Sequence, residues 1–126
     1  MAKTHFKGTF SNGKYKVSIS LSLYIWEEDE TTFVYSPALD VTGYGENEIE
    51  AKTSFEITLK EFVSYTQNKN TIFDELERLG WTVNRKKKRI HAPDIEELKS
   101  DNTTFKNLLK KANLRSENTN VQLALA

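Results

Sequence analysis

The sequence predicts an α+β domain: an antiparallel sheet of three to four strands covered on one face by a helix, followed by a C-terminal hairpin and a helical extension. Three features predict it. Tyr15, Val17, Ile19, Leu21, Leu23 and Ile25 alternate with Lys16, Ser18, Ser20 and Ser22, the period of a strand with one buried and one wet face. The stretch Phe33 to Ala51 (FVYSPALDVTGYGENEIEA) reads as a strand, a proline stop, a second strand and a capped helix start. Ala51, Phe55, Leu59, Phe62 and Val63 then recur at spacings of three and four, the stripe of a helix laid on the inner face of a sheet.

The elements follow in chain order. Phe6, Gly8 and Phe10 share one parity and Asn12-Gly13 after them is a hairpin signal, so a first strand precedes the one beginning at Tyr15. Glu27-Glu28-Asp29-Glu30 interrupts the apolar pattern and reads as a four-residue hairpin loop. Phe33, Val34 and Tyr35 favour a strand, which Pro37, having no N–H to donate, ends or confines to a sheet edge. Leu39, Val41 and Tyr44 resume an extended run, and Gly43 and Gly45 allow a sharp turn. Asn47 with Glu50 three residues later has the pattern of a capping box, opening a helix that reaches about residue 65 or 66. Glu46, Glu48 and Glu50 suit its positive end and Lys60 its negative end. Ile57 falls off the apolar stripe; with Glu48 and Glu56 it marks the exposed helix face that a protein partner would meet.

After a polar loop over residues 67–70, Thr71 with Asp74 caps a second helix carrying Ile72, Phe73, Leu76 and Leu79, and Gly80 ends it. Trp81 and Val83, a turn over 84–88 and a return at Ile90 make a small hairpin. Its tip holds Arg85, Lys86, Lys87, Lys88 and Arg89, the densest basic run in the chain. Pro93 opens a brief helix with Ile95 and Leu98, and Asp101 or Asn102 caps another with Phe105, Leu108, Leu109 and Ala112. The chain is polar from Arg115 to Asn120. It then alternates through Val121, Leu123 and Leu125, which add a last strand to an exposed edge, its own or a neighbouring subunit's.

The residues Tyr35, Ser36, Pro37, Ala38 and Leu39, then Tyr44, Gly45 and Glu46, then Glu50 and Ala51 resemble the HicB-like antitoxin family. That family's pattern is a Pro-x-Leu strand start, a Gly-acid turn and a Glu-Ala helix start; here Asp40 and Val41 stand where it has Pro-Gly. The resemblance covers roughly residues 15–65. It implies a β-β-β-α core and a non-catalytic protein that sequesters a small basic, messenger-RNA-cleaving HicA-like toxin. Family members commonly add a helix-turn-helix or ribbon-helix-helix module that represses their operon, and residues 81–126 match neither.

Composition bounds the remaining classes. A chain of 126 residues suits one domain, with the HicB-like core and second helix in 1–80 and the basic hairpin and helical extension in 81–126. The absence of cysteine removes disulfides and thiolate metal sites; with no apolar run of membrane-spanning length and a polar start, a cytoplasmic protein is expected. Charge is uneven: residues 1–80 carry 8 Lys and Arg against 13 Asp and Glu, and residues 81–126 carry 10 against 5. The carboxylate run at 27–30 lacks the alternating spacing and glycine of a calcium loop. His5 and His91 have no catalytic partner, and no P-loop, nucleophile elbow or dinucleotide glycine pattern occurs, so neither catalysis nor a cofactor is expected. Three functions remain in view. One is an antitoxin-like binding protein whose acidic N-terminal part suits a basic toxin. Another is a nucleic-acid-associated protein using Arg85 to Arg89 with Lys106, Lys110 and Lys111. The third is an orphan HicB-like domain that forms homo-oligomers, without a toxin.

Overall fold

The computed structural model describes residues 6–11, 14–87, 89–111 and 113–124. His5, the Asn12-Gly13 turn, Lys88, Ala112 and Leu125 lie outside the described residues. In chain order the elements are β1 (Phe6–Ser11), β2 (Lys14–Glu28), β3 (Thr31–Ser36), β4 (Val41–Gly45), α1 (Glu48–Asn68), α2 (Ile72–Arg78), β5 (Thr82–Asn84), β6 (Arg89–His91), α3 (Ile95–Asp101), α4 (Thr103–Leu108) and β7 (Arg115–Ala124). The class is α+β, with an antiparallel sheet, a helix packed on it, a separate two-stranded sheet β5–β6 and further helices.

The long strand β2 is the spine. Along one edge it pairs with β1, from Phe6↔Ile19 to Ser11↔Lys14, and with β3, from Tyr24↔Tyr35 to Glu28↔Thr31. Its other edge is taken by β7, from Lys16↔Ala124 to Ile25↔Arg115, and β4 continues the sheet beyond β3. Ile19, Leu21, Leu23 and Ile25 of β2, with Val34, Val41 and Leu123, form the inner face, which Ala51, Phe55 and Leu59 of α1 cover. The same buried cluster takes in Trp81, Ile90, Leu98, Phe105 and Leu108 from the second part of the chain.

Four local expectations are corrected. The last strand starts at Arg115, well before Val121, and pairs within its own chain. Its alternate residues Ser116, Asn118 and Asn120 are exposed, while Leu123 is buried and Val121 half-buried, so its polarity is that of a half-wet strand. Glu27 and Glu28 belong to β2 and pair with Thr32 and Thr31; the loop is the two-residue turn Asp29-Glu30, both with positive φ (51° and 64°), as a type I′ hairpin requires. Leu39 lies in the turn over residues 37–40, buried there, and not in β4. Gly43 and Gly45 sit inside β4 and make no turn. A Cβ on Gly43 would stand 2.2 Å from the backbone nitrogen of Phe55, and one on Gly45 would stand 2.5 Å from the Cβ of Glu50. These glycines are where α1 lies directly on the strand.

The helix caps follow the residue chemistry except at α2, where Thr71 stands at the cap position but its side chain makes no capping hydrogen bond. Asn47 Oδ1 accepts from the Glu50 N–H (2.9 Å), and the Glu50 carboxylate accepts from the N–H of Glu46 (3.1 Å), one residue earlier than in the usual capping box. α1 runs two residues beyond the expected end, to Asn68. Asp94 caps α3 through the Glu97 N–H, and Asn102, not Asp101, caps α4 through the Phe105 N–H. No helix among the described residues is long and apolar enough to cross a membrane.

Candidate functional site

Two acidic runs that are far apart in sequence meet at one end of the sheet. The β2–β3 tip carries Glu27, Glu28, Asp29 and Glu30, all exposed, and the head of α1 carries Glu46, Glu48 and Glu50. Thr32 pairs with both Glu27 and Gly45, which brings the tip beside the helix start; Glu27, Glu46, Asn47 and Glu48 line one recess of about 400 Å³ with Trp26 and Arg115. Arg115 and Lys52 both pair with Glu48, Lys52 also reaches Glu117 (2.7 Å), and Lys111 reaches Glu28 (3.2 Å). Lys52 and Arg115 hold the Glu48 carboxyl below its ordinary pKa, the Lys52 bond first. Among the described residues no group of three His, Asp or Glu converges as a metal cage would.

The helix face predicted for a partner divides. Glu56 and Ile57 are exposed, Ile57 at 54%, while Glu48 is turned toward β7 and engaged in ion pairs. Ile49, at 80%, is the more exposed aliphatic, and periodicity did not single it out because it stands in the first turn, before the stripe begins.

The basic hairpin also divides. Arg85 pairs with Asp74 (2.6 Å) and Glu77 of α2 and lies 5.5 Å over the Phe73 ring, so it staples the hairpin to the helix. Both partners hold its guanidinium above its ordinary pKa, the Asp74 bond first. Lys86, Lys87 and Arg89 are exposed and form no ion pair among the described residues, whereas Lys88 lies outside them.

A fourth feature lies on the outer face of the sheet. There the even residues of β2 change from Ser18, Ser20 and Ser22 to Tyr24 and Trp26. Tyr24 meets Phe105 of α4 edge-to-face (5.0 Å between centroids), and the Tyr35 hydroxyl donates to Asp40 (2.8 Å) and accepts from Asn102 (2.9 Å). Asn102 thus caps α4 and ties it to β3 with one side chain. Burial pushes the Tyr35 hydroxyl up to about 12, the Asn102 bond opposing and Asp40 assisting. Beside this junction Trp26 stacks on Phe33 (5.2 Å, 14° between planes), and the exposed Tyr44 follows at 6.4 Å. Trp26, Phe33, Tyr35 and Thr42 floor a cleft of about 660 Å³ whose other wall is α4 and its trailing turn, with Asn107, Lys110 and Lys111. The signal for it was present in the sequence: aromatic residues on the parity reserved for the wet face of β2.

No family model matches the chain, and neither a curated protein nor a solved structure matches it.

Proposed function

We propose that the chain is a binding protein and not a catalyst, and that its partner is a small basic protein, as in the HicB-type antitoxins whose strand, turn and helix-start pattern residues 35–51 resemble. The observation that carries this reading is that Glu27, Asp29, Glu30, Glu46 and Glu50, exposed and without an ion pair among the described residues, stand together at one end of the sheet. Fields of one sign at a surface accelerate encounter with an oppositely charged protein and reject like-charged ones. The exposed Ile49 and Ile57 on the adjoining helix supply apolar contact beside the charge.

Affinity capture from the native cells at moderate salt, with mass spectrometry, tests it. The expected result is one small basic protein in fixed stoichiometry, lost when Glu27→Lys, Glu46→Lys and Glu56→Lys are combined in a chain whose circular dichroism is unchanged. A captured protein indifferent to those reversals sinks the reading. Lys86, Lys87 and Arg89, exposed and without an ion pair among the described residues, favour a second one, contact with nucleic acid through the hairpin. Recovery of nucleic acid alone, lost with Lys86→Ala and Lys87→Ala, selects it.

A further inference from the structure

We propose that the cleft between the outer sheet face and α4 binds single-stranded nucleic acid, with bases stacked along Phe33 and Tyr44 and phosphates held by Lys110 and Lys111. The site adjoins the acidic end, with which it shares Trp26 and the Lys111–Glu28 pair, shares no lining residue with the basic hairpin, and does not rest on the function proposed above.

Three aromatic rings stand on three adjacent strands. Trp26 of β2, Phe33 of β3 and Tyr44 of β4 follow one another across the outer face, from the cleft floor to a ring that is 65% exposed. A sheet that presents aromatic rings in succession offers a stacking platform, and every base has a face that can use it. An exposed tyrosine adjoining stacked rings has no packing role on its outward side.

Charge supplies the second part. Residues 103–111 carry Lys106, Lys110 and Lys111 and no Asp or Glu. Lys110 and Lys111 line the cleft opposite the rings. The Lys111–Glu28 pair is exposed, so a phosphate can take its place at little cost. Asp40 is the one carboxylate in the cleft lining, and its Oδ1 already accepts from the Tyr35 hydroxyl. Thr42, Thr104 and Asn107 line the same cleft and make no side-chain hydrogen bond among the described residues, which leaves donors and acceptors for base edges. Stacking on exposed rings takes unpaired bases, so the surface suits a single strand and not a duplex.

The test is a titration of the whole chain with a labelled single-stranded oligonucleotide of about ten nucleotides, at roughly 50 mM salt and then at rising salt. Polarisation and tryptophan fluorescence are read together. Binding with quenching is expected, weaker for the duplex of the same sequence. Trp26→Phe should remove most of the quenching, because the other indole, Trp81, is buried away from solvent. Tyr44→Ala, at an exposed position, should weaken binding about tenfold. Lys110→Ala with Lys111→Ala should lower the logarithmic salt slope by about 1.4, the value for two phosphates on a single strand. Lys86→Ala with Lys87→Ala should leave affinity unchanged. The proposal is overturned by absence of binding, by binding that only the hairpin variants abolish, or by a cleft that takes a basic or neutral peptide but no oligonucleotide.

Discussion

Gly43 shows how one hydrogen atom at a residue can decide a fold. Its Cβ position is occupied by the Phe55 backbone, which cannot step aside as a side-chain tip would. Gly43→Ala should therefore cost about 3 kcal/mol, the upper part of the usual overpacking range, read as a lower urea midpoint at unchanged m-value. Tyr35 makes a pH-dependent contribution. Its folded pKa of about 12 stands above the ordinary 10.0, so the neutral hydroxyl is favoured in the fold. Its contribution is complete below pH 10 and is lost as pH rises from 10 toward 12. Stability measured across that interval should fall, with the Tyr35 phenolate band at 295 nm appearing late. Burial raises Tyr24 in the same direction, so Tyr35→Phe should flatten only part of the decline. At this scale capping was partly legible: Asn47 is named by its own chemistry, because a cap is a local hydrogen bond, whereas only the structure chose Asn102 over Asp101 and left Thr71 without a capping bond. The reason for Gly43 was not, since turn and close approach ask for the same residue and only the position of α1 separates them.

Among the elements, β7 matters most and was least visible. It pairs with one edge of β2 from Lys16 to Ile25 and places Leu123, with no exposed surface, against the inner face. Leu123→Ala should destabilise by about 2–5 kcal/mol, a large share of an ordinary domain's stability, again measured by the urea midpoint. Its first half, RSENTN, lacks apolar alternation because Arg115 and Glu117 meet Glu48 and Lys52 on the inner side. Periodicity finds a strand only where burial is apolar, and here the first inward-facing residues are surface ion pairs. The β5–β6 hairpin makes the opposite case, easily read from Trp81, Val83 and Ile90, although the ion pairs that Arg85 makes with α2 were not legible. Arg85→Ala should speed amide exchange at Val83 and Ile90 while moving the melting temperature little, since the lost ion pairs are exposed.

For the whole molecule, the division at residue 80 does not coincide with a boundary in the core. Leu98, Phe105, Leu108 and Leu123 share one buried cluster with the strands and α1. Asn102 and Trp81 add hydrogen bonds across that division, the Trp81 indole donating to the Ala38 carbonyl at 2.7 Å. A chain ending at Gly80 would expose the β7 edge of β2 and the apolar surface under α4. We expect it to lack a cooperative thermal transition and to self-associate, checked by calorimetry and sedimentation; a sharp transition in a monomer would contradict this. The opposite charges of the two parts, read as a polarised chain, are partly neutralised in the fold by Arg115–Glu48, Lys111–Glu28 and Lys52–Glu117.

By itself the sequence determined the α+β class, the main strand, α1 with its cap and buried stripe, and the order of the short helices, because each of these is set by residues a few positions apart. It also named the cations of the hairpin and the acids at both of their sites. Only the tertiary structure decided which of them stand free. It spread Arg85 across α2, turned Glu48 toward β7, joined the tip acids to the head of α1, and set Trp26, Phe33 and Tyr44 in a row facing Lys110 and Lys111. Those relations join residues from 7 positions apart, Trp26 and Phe33, to 85, Trp26 and Lys111, and no local period carries them, since chain distance and spatial distance are related only through the packed core.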